Sequence, residues 1–104
     1  MSEEIRNGRY VDEAGTIRWF KDDVLHREDG PAIEYLDGYK AWYLNGVYHR
    51  EDGPAVVHPD GSYAWYLNGV KHRLDGPAYE SGDIKEWHLN GKRHREDGPA
   101  IVNS

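Results

Sequence analysis

Four histidines recur at near-constant intervals: His26, His49, His72 and His94 are 23, 23 and 22 residues apart. Imidazole ligates metals, moves protons and accepts hydrogen bonds, so such a ladder first raises the question of a metal site. Ligands must converge to within about 2.1 Å of one ion. If the repeats are stacked strand pairs, equivalent histidines lie roughly 9–10 Å apart. One ion cannot then bridge two rungs, and the local Asp adds too few donors. The ladder therefore reads as structural, its imidazoles bonding backbone in a connector, with no metal and no other cofactor. Metal binding or pH sensing is the alternative.

Arg27, Arg50, Arg73 and Arg95 follow those histidines directly, and Asp29, Asp52, Asp75 and Asp97 lie two residues further on. Two readings stay open. In the first, Arg or His pairs with connector carboxylates and backbone carbonyls and fixes a turn. In the second, the Arg row is a ridge that contacts phosphate or a carboxylate-rich protein surface. Lys71-His72-Arg73 and Lys92-Arg93-His94-Arg95 favour the ridge, whereas Glu28-Asp29, Glu51-Asp52 and Glu96-Asp97 weaken it. Leu74 stands where the other rungs have Glu, so the expected hot spot runs from Lys71 through Arg73 to Leu74, with Arg50 on the rung before. Tyr39, Tyr43, Tyr66 and Tyr35 form a second candidate surface, since tyrosine is enriched at interface hot spots; base stacking is its nucleic-acid alternative.

Catalysis is not expected. There is no Cys, and serine is limited to Ser2, Ser62, Ser81 and Ser104. A nucleophile needs an oriented base in a concave site. A regular repeat duplicates each residue and gives no unique pocket. No Gly-x-x-x-x-Gly-Lys phosphate loop is present.

The elements that position these residues follow from the repeat. His-Arg-x-Asp-Gly-Pro-Ala occurs four times, and Trp19, Trp42, Trp65 and Trp87 keep the same 23, 23 and 22 spacing. Within a unit, two β-prone runs flank Asp60-Gly61, and Asn68-Gly69 closes the second run; both pairs favour tight turns with positive φ. Pro54 and Pro59 lack an N–H and belong at strand starts or edges. No helical periodicity is visible, and Gly or Pro arrives every few residues. Each unit reads as a β-hairpin followed by a tight connector. Period 2 puts Tyr63, Trp65 and Leu67 on one face and Ala64 and Tyr66 on the other. Trp42 with Leu44, and Trp87 with Leu89, repeat that pairing. The Trp/Leu face is expected to be buried and the Tyr face outward. One unit cannot bury its own apolar face, so neighbours must stack.

The expected fold is all-β, an elongated single-layer antiparallel sheet of stacked hairpins about eight strands long, near 40 Å at ~4.8 Å per strand. Residues 1–104 form one repeat domain, with an N-terminal cap over 1–15 and repeats near 16–38, 39–61, 62–83 and 84–104. A one-residue deletion falls around Ser81-Gly82-Asp83, where the turn should change while Trp87 keeps its register. The two end strands, near Tyr10 and Ile101, could pair between chains and give homo-oligomers.

The 104 residues carry 13 Lys plus Arg against 19 Asp plus Glu, a formal net charge of −6. Residues 1–52 hold 7 basic and 12 acidic side chains, and residues 53–104 hold 6 and 7. Nonspecific phosphate binding needs a dominant positive surface, so nucleic acid is disfavoured as a partner. No cysteine means no disulfide framework and no thiolate metal site. No apolar run approaches the ~18 residues of a membrane span. The acidic start Met1-Ser2-Glu3-Glu4 does not resemble a signal or transit peptide. The expected location is cytoplasmic.

The alternation of Asp60-Gly61, Trp65, Asn68-Gly69 and His72, repeated over residues 14–101, resembles the MORN repeat, and more closely its variant form. Common MORN units follow His with Gly-x-Gly, whereas here Arg-x-Asp-Gly-Pro-Ala follows, as in repeats of phage and giant-virus proteins. The resemblance implies a hairpin-stacked sheet that binds other proteins or sometimes lipid headgroups, without catalysis. The expected function is a non-enzymatic protein-binding module. It uses the Tyr face or the His/Arg connector ridge, with Tyr39, Tyr43, Tyr66, Arg50, Lys71, Arg73 and Leu74 as contacts. The alternative is a small phage-type inhibitor of a host defence protein or nuclease, acting by acidic mimicry of nucleic acid through Glu28, Asp29, Glu51 and Asp52.

Overall fold

The structure, a computed structural model, describes residues 5–95 and 98–103. Met1-Ser2-Glu3-Glu4, Glu96, Asp97 and Ser104 lie outside the described residues, and with them the acidic start and the fourth Glu-Asp pair. The described residues form strands and turns with no helix, and the chain extends 56 × 26 × 23 Å. Accordingly, no helix is long and apolar enough to cross a membrane.

One antiparallel sheet of ten strands runs the length of the array and is left open at both ends. Each repeat contributes two neighbouring strands to it. The hairpins straddle the repeat boundaries: Ile33–Glu34 pairs Lys40–Ala41, and Val56–Val57 pairs Tyr63–Ala64. Their loops are closed by the Asp-Gly pair. Asp60 Oδ1 accepts the Ser62 N–H at 2.9 Å, and Gly61 sits at φ 91°. The shortened repeat turns over Gly82-Asp83 instead, pairing Ser81 with Ile84. Trp87 still donates its N–H to Ala100 at 2.7 Å, as Trp42 does to Ala55, so the deletion is absorbed in the loop and the register is kept.

A single continuous sheet was expected, and here the structure differs. The chain leaves the long sheet at Trp42, Trp65 and Trp87 and makes a second, two-stranded ribbon each time, whereas Trp19 stays within the long-sheet strand Ile17–Lys21. Tyr43–Leu44 pairs Val47–Tyr48, Tyr66–Leu67 pairs Val70–Lys71, and His88–Leu89 pairs Lys92–Arg93. Asn-Gly forces this reversal. Asn45 and Gly46 have φ 51° and 83°, a pair of left-handed residues that matches the twist of a two-residue hairpin. Asp22 and Asp23 hold the same conformation in the first unit, at φ 49° and 69°.

The break at Trp also overturns the expected faces. Alternation does not run through the bend, and the buried core is the Ala side: Ile33, Ala41, Val56 and Ala64, with Tyr39, Tyr43, Tyr48, Tyr66 and Tyr79 packed against it. Ala32, Ala55 and Ala78 are fully buried. The four tryptophans are only half-buried. Tyr39, Tyr43 and Tyr66 are therefore core-flanking side chains and not an outward row, while Tyr35 is 40 % exposed. Ring centroids of Tyr43 and Tyr48 lie 4.8 Å apart, and those of Tyr48 and Tyr66 4.9 Å.

Candidate functional site

Each His of the ladder is a staple between repeats. The Asn45 N–H donates to His26 Nδ1 at 2.9 Å, Asn68 to His49 at 3.0 Å, and Asn90 to His72 at 3.0 Å. Each bond runs from the Asn-Gly turn of one unit to the connector of the unit before. An accepting Nδ1 places the ring proton on Nε2. The following glycine adds a backbone bond in the same direction, Gly46 to Leu25 and Gly69 to Tyr48, both 2.8 Å. For the first such turn, at Asp22-Asp23, Asn7 takes the place of the histidine. Its Oδ1 accepts the Asp22 N–H at 2.8 Å, while Asp23 donates to the Arg6 carbonyl at 2.9 Å. The expected structural role of the ladder agrees with this geometry at His26, His49 and His72. Replacing His49 with alanine should cost about 1 kcal/mol, the net worth of one such bond. Asparagine, which the chain itself uses at its cap, should restore most of it. Urea unfolding of both variants measures this, and an Asn variant no more stable than the Ala one would refute the staple.

The arginines occupy cradles. Arg27, Arg50, Arg73 and Arg95 lie over Trp19, Trp42, Trp65 and Trp87, with guanidinium carbons 4.3, 3.9, 4.2 and 3.8 Å from the ring centroids. Arg50 Nε donates to Asp52 at 3.1 Å and Nη1 to the Pro54 carbonyl at 3.1 Å. Arg27 and Arg73 repeat both bonds, to Asp29 and Pro31 and to Asp75 and Pro77. The glycine of Asp-Gly-Pro completes the cradle, because a Cβ on Gly53 would stand 2.7 Å from Arg50 Cζ. The turn-fixing reading of the Arg/Asp pairs is thus what the geometry presents. It leaves the rungs with an unexpected polarity. The side chains of Arg27, Arg50 and Arg73 are 26, 26 and 21 % exposed, against 86, 89 and 82 % for Asp29, Asp52 and Asp75. What the ridge turns to solvent is carboxylate.

Between successive rungs the ribbons leave three similar grooves. The first, about 550 Å³, is floored by Trp42 and Leu44 and rimmed by the acidic pairs of rungs one and two. The second, about 630 Å³, is floored by Trp65 and Leu67, and the third, about 470 Å³, by Trp87 and Leu89. Leu74 borders both of the last two and is 83 % exposed. The structure thus brings Arg50, Arg73 and Leu74 to one grooved face. Tyr39, Tyr43 and Tyr66 are placed elsewhere, against the core, and the described groove linings contain no tyrosine. The sequence reading missed the Trp/Leu groove floor because it assigned those residues to the core. A polar tail beside each Trp, the Arg eight residues on, was the available signal.

Lys71 belongs to a third environment. It takes the place that Tyr48 holds one repeat earlier, and its Nζ is 3.6 Å from Glu86 Oε1 and 4.9 Å from the Tyr79 ring centroid. Glu86 also meets buried His88 Nε2 at 2.9 Å. The Tyr/Ala layer of the earlier repeats has here become a polar cluster. The His88 hydrogen bond, aided by Lys71 and opposed by burial, holds the Glu86 carboxyl below its ordinary value of 4.5. A depressed folded-state pKa stabilises the fold above the unfolded value, and that contribution is lost as pH falls through the folded one. A Glu86→Gln variant should therefore be less stable than the parent at pH 7. The gap should narrow as pH drops below 4.5. Thermal melts across that range test it, and a pH-independent gap would remove Glu86 from the account. No family model, no curated protein and no solved structure matches the chain.

Proposed function

We propose that this chain is a non-enzymatic protein-binding repeat module whose contact surface is the grooved connector face. The observation that carries the reading is the threefold recurrence of one groove, floored by Trp and Leu and rimmed by carboxylates, with Leu74 exposed between two of them. Tryptophan and arginine are enriched at interface hot spots, and the exposed leucine beside them adds apolar surface for a partner to cover. The resemblance of the 23-residue unit to variant MORN repeats supports a binding role as well. A Leu74→Glu substitution restores the residue type of the other rungs, so the fold should tolerate it. Affinity capture with parent and variant, compared by mass spectrometry, should show partners lost only with Leu74→Glu. A Tyr35→Ser control on the other surface should retain them. The same captured set from all three proteins would overturn the assignment of this face.

A second reading draws on the same carboxylates: inhibition of a host nuclease or defence protein by acidic mimicry of nucleic acid. Rungs two strands apart place the acidic pairs roughly 9.6 Å apart, whereas duplex phosphates recur every ~3.4 Å along a strand. The coarser spacing favours the groove reading. Neutralising Glu28 and Glu51 with glutamine should abolish inhibition if mimicry operates; unchanged inhibition would end that reading.

A further inference from the structure

Resting on the grooved face as the contact surface, we infer the chemistry of its occupant. It is an extended segment of a partner protein in polyproline II conformation, with basic side chains three residues apart, followed by an apolar one. Three features of the face carry this.

The first is charge. The arginines that a sequence reader would aim at an anion are spent inside the fold, stacked on tryptophan and bonded to Asp and to a proline carbonyl. The outward groups are Asp29 and Asp52, 86 and 89 % exposed, joined by exposed Glu28 and Glu51. A segment lying along the first two rungs meets two acidic pairs, and lysine or arginine complements them.

The second is period. Neighbouring rungs are two strands apart, roughly 9.6 Å. A polyproline II helix advances ~3.1 Å per residue with three residues per turn, or ~9.3 Å before it repeats its facing. Residues i, i+3 and i+6 would then point at successive rungs. An extended β-strand alternates sides every residue, so its i and i+3 side chains point opposite ways. An α-helix needs about 6.4 residues for the same rise and drifts off register over three rungs. Groove floors of Trp and Leu suit proline rings, and such segments lose little entropy on docking.

The third is the break in the pattern. Rung three carries Leu74 in place of Glu and borders two grooves. It asks for an apolar side chain, which sets the register of the segment from rung one to rung three: basic, basic, apolar. The pattern Arg-x-x-Arg-x-x-Leu with prolines between satisfies all three.

The test uses the full chain and synthetic peptides, read by tryptophan fluorescence, since each groove floor holds an indole. The probe is Arg-Pro-Pro-Arg-Pro-Pro-Leu-Pro-Pro. Two controls permute it so that the arginines are adjacent, or replace both with glutamate. The probe should bind at least about tenfold more tightly than either control, or ~1.4 kcal/mol. Its affinity should fall with added salt and fall again in Glu28→Gln/Glu51→Gln and in Leu74→Glu. Circular dichroism shows that each variant remains folded. Equal binding of probe and permuted peptide, or no binding of the probe, overturns the proposed occupant. The capture comparison separates the two levels: if Leu74→Glu still removes partners while no peptide binds, the face stands and its occupant is not a basic polyproline II segment. If Leu74→Glu alters neither, the face itself is wrong.

Discussion

Replacing Gly53 with alanine is expected to unseat Arg50 and to lower stability by roughly 1–3 kcal/mol, a large effect for adding one methyl group. The added Cβ would stand 2.7 Å from Arg50 Cζ and 3.0 Å from its Nε and Nη1. Gly53 is buried and its φ is not left-handed, so the cost comes from contact and not from backbone strain. The guanidinium ends a flexible side chain, so it yields only by giving up the contacts that hold it. On its other side lies Trp42, 3.9 Å away, and two of its donors are committed to Asp52 and Pro54. Moving it forfeits a cation–π contact worth about 0.5–2 kcal/mol and uncovers the indole face. A double-mutant cycle makes the mechanism checkable. In an Arg50→Ala background the alanine at 53 has nothing to strike, and its cost should drop to a few tenths of a kcal/mol. Additive losses would show that Gly53 serves another purpose. The same reasoning holds for Gly30 and Gly76, where the closest Arg atom is 2.8 Å away in both.

The second large effect is expected in alkali. Burial first, and the neighbouring Tyr48 hydroxyl second, push the Tyr39 phenol up to about 12. Tyr43 is pushed up by the same two causes, and Tyr66 by burial and then by Tyr48. The sign follows from linkage. A folded-state pKa above the ordinary value near 10 means that the native layer holds these phenols neutral. Their contribution is fully present below pH 10 and is lost as pH climbs towards 12. Because the rings touch one another across two repeats, ionising one makes the next ionisation harder, and the layer should give way cooperatively. Phenolate absorbance at these tyrosines should rise together with loss of the far-ultraviolet dichroism signal. Tyr43→Phe removes one ionisable member while keeping the ring, so it should move the alkaline midpoint upward. Phenols that titrate near pH 10 in a chain whose dichroism is unchanged would contradict the buried tyrosine layer.

The tyrosine effect sits in the core and the Gly53 effect on the tryptophan side, the two sides that the sequence reading interchanged. The two-residue alternation Tyr63-Ala64-Trp65-Tyr66-Leu67 is sound as far as Ala64. It fails at Trp65, where the chain bends from the long sheet into the ribbon. Nothing local announces that bend. Trp65 lies there because its N–H must reach Ala78 and its carbonyl must receive His72. Those partners are 13 and 7 residues away, at the two ends of the His72–Ala78 connector. Hydrophobic pattern alone assigns indole to the interior, since indole is the largest apolar side chain available. The structure instead covers it with a guanidinium from the same rung. The histidine ladder shows the complementary case. Its spacing and its local composition were enough to expect a backbone partner. Which backbone N–H it would accept, that of the Asn in the following turn, depended on how two repeats lie against each other.

By itself, then, the sequence determined what is periodic and local. It set the all-β class, the repeat lengths, the Asp-Gly and Asn-Gly turns whose positive φ is a property of those residues, and the absorption of the deletion by the Gly82-Asp83 loop. Tertiary structure decided which side of each strand is inside and which charges face outward. Both depend on tertiary contacts: a core of alanine, isoleucine and valine flanked by tyrosine from successive units, and an arginine held against indole while its aspartate faces the solvent.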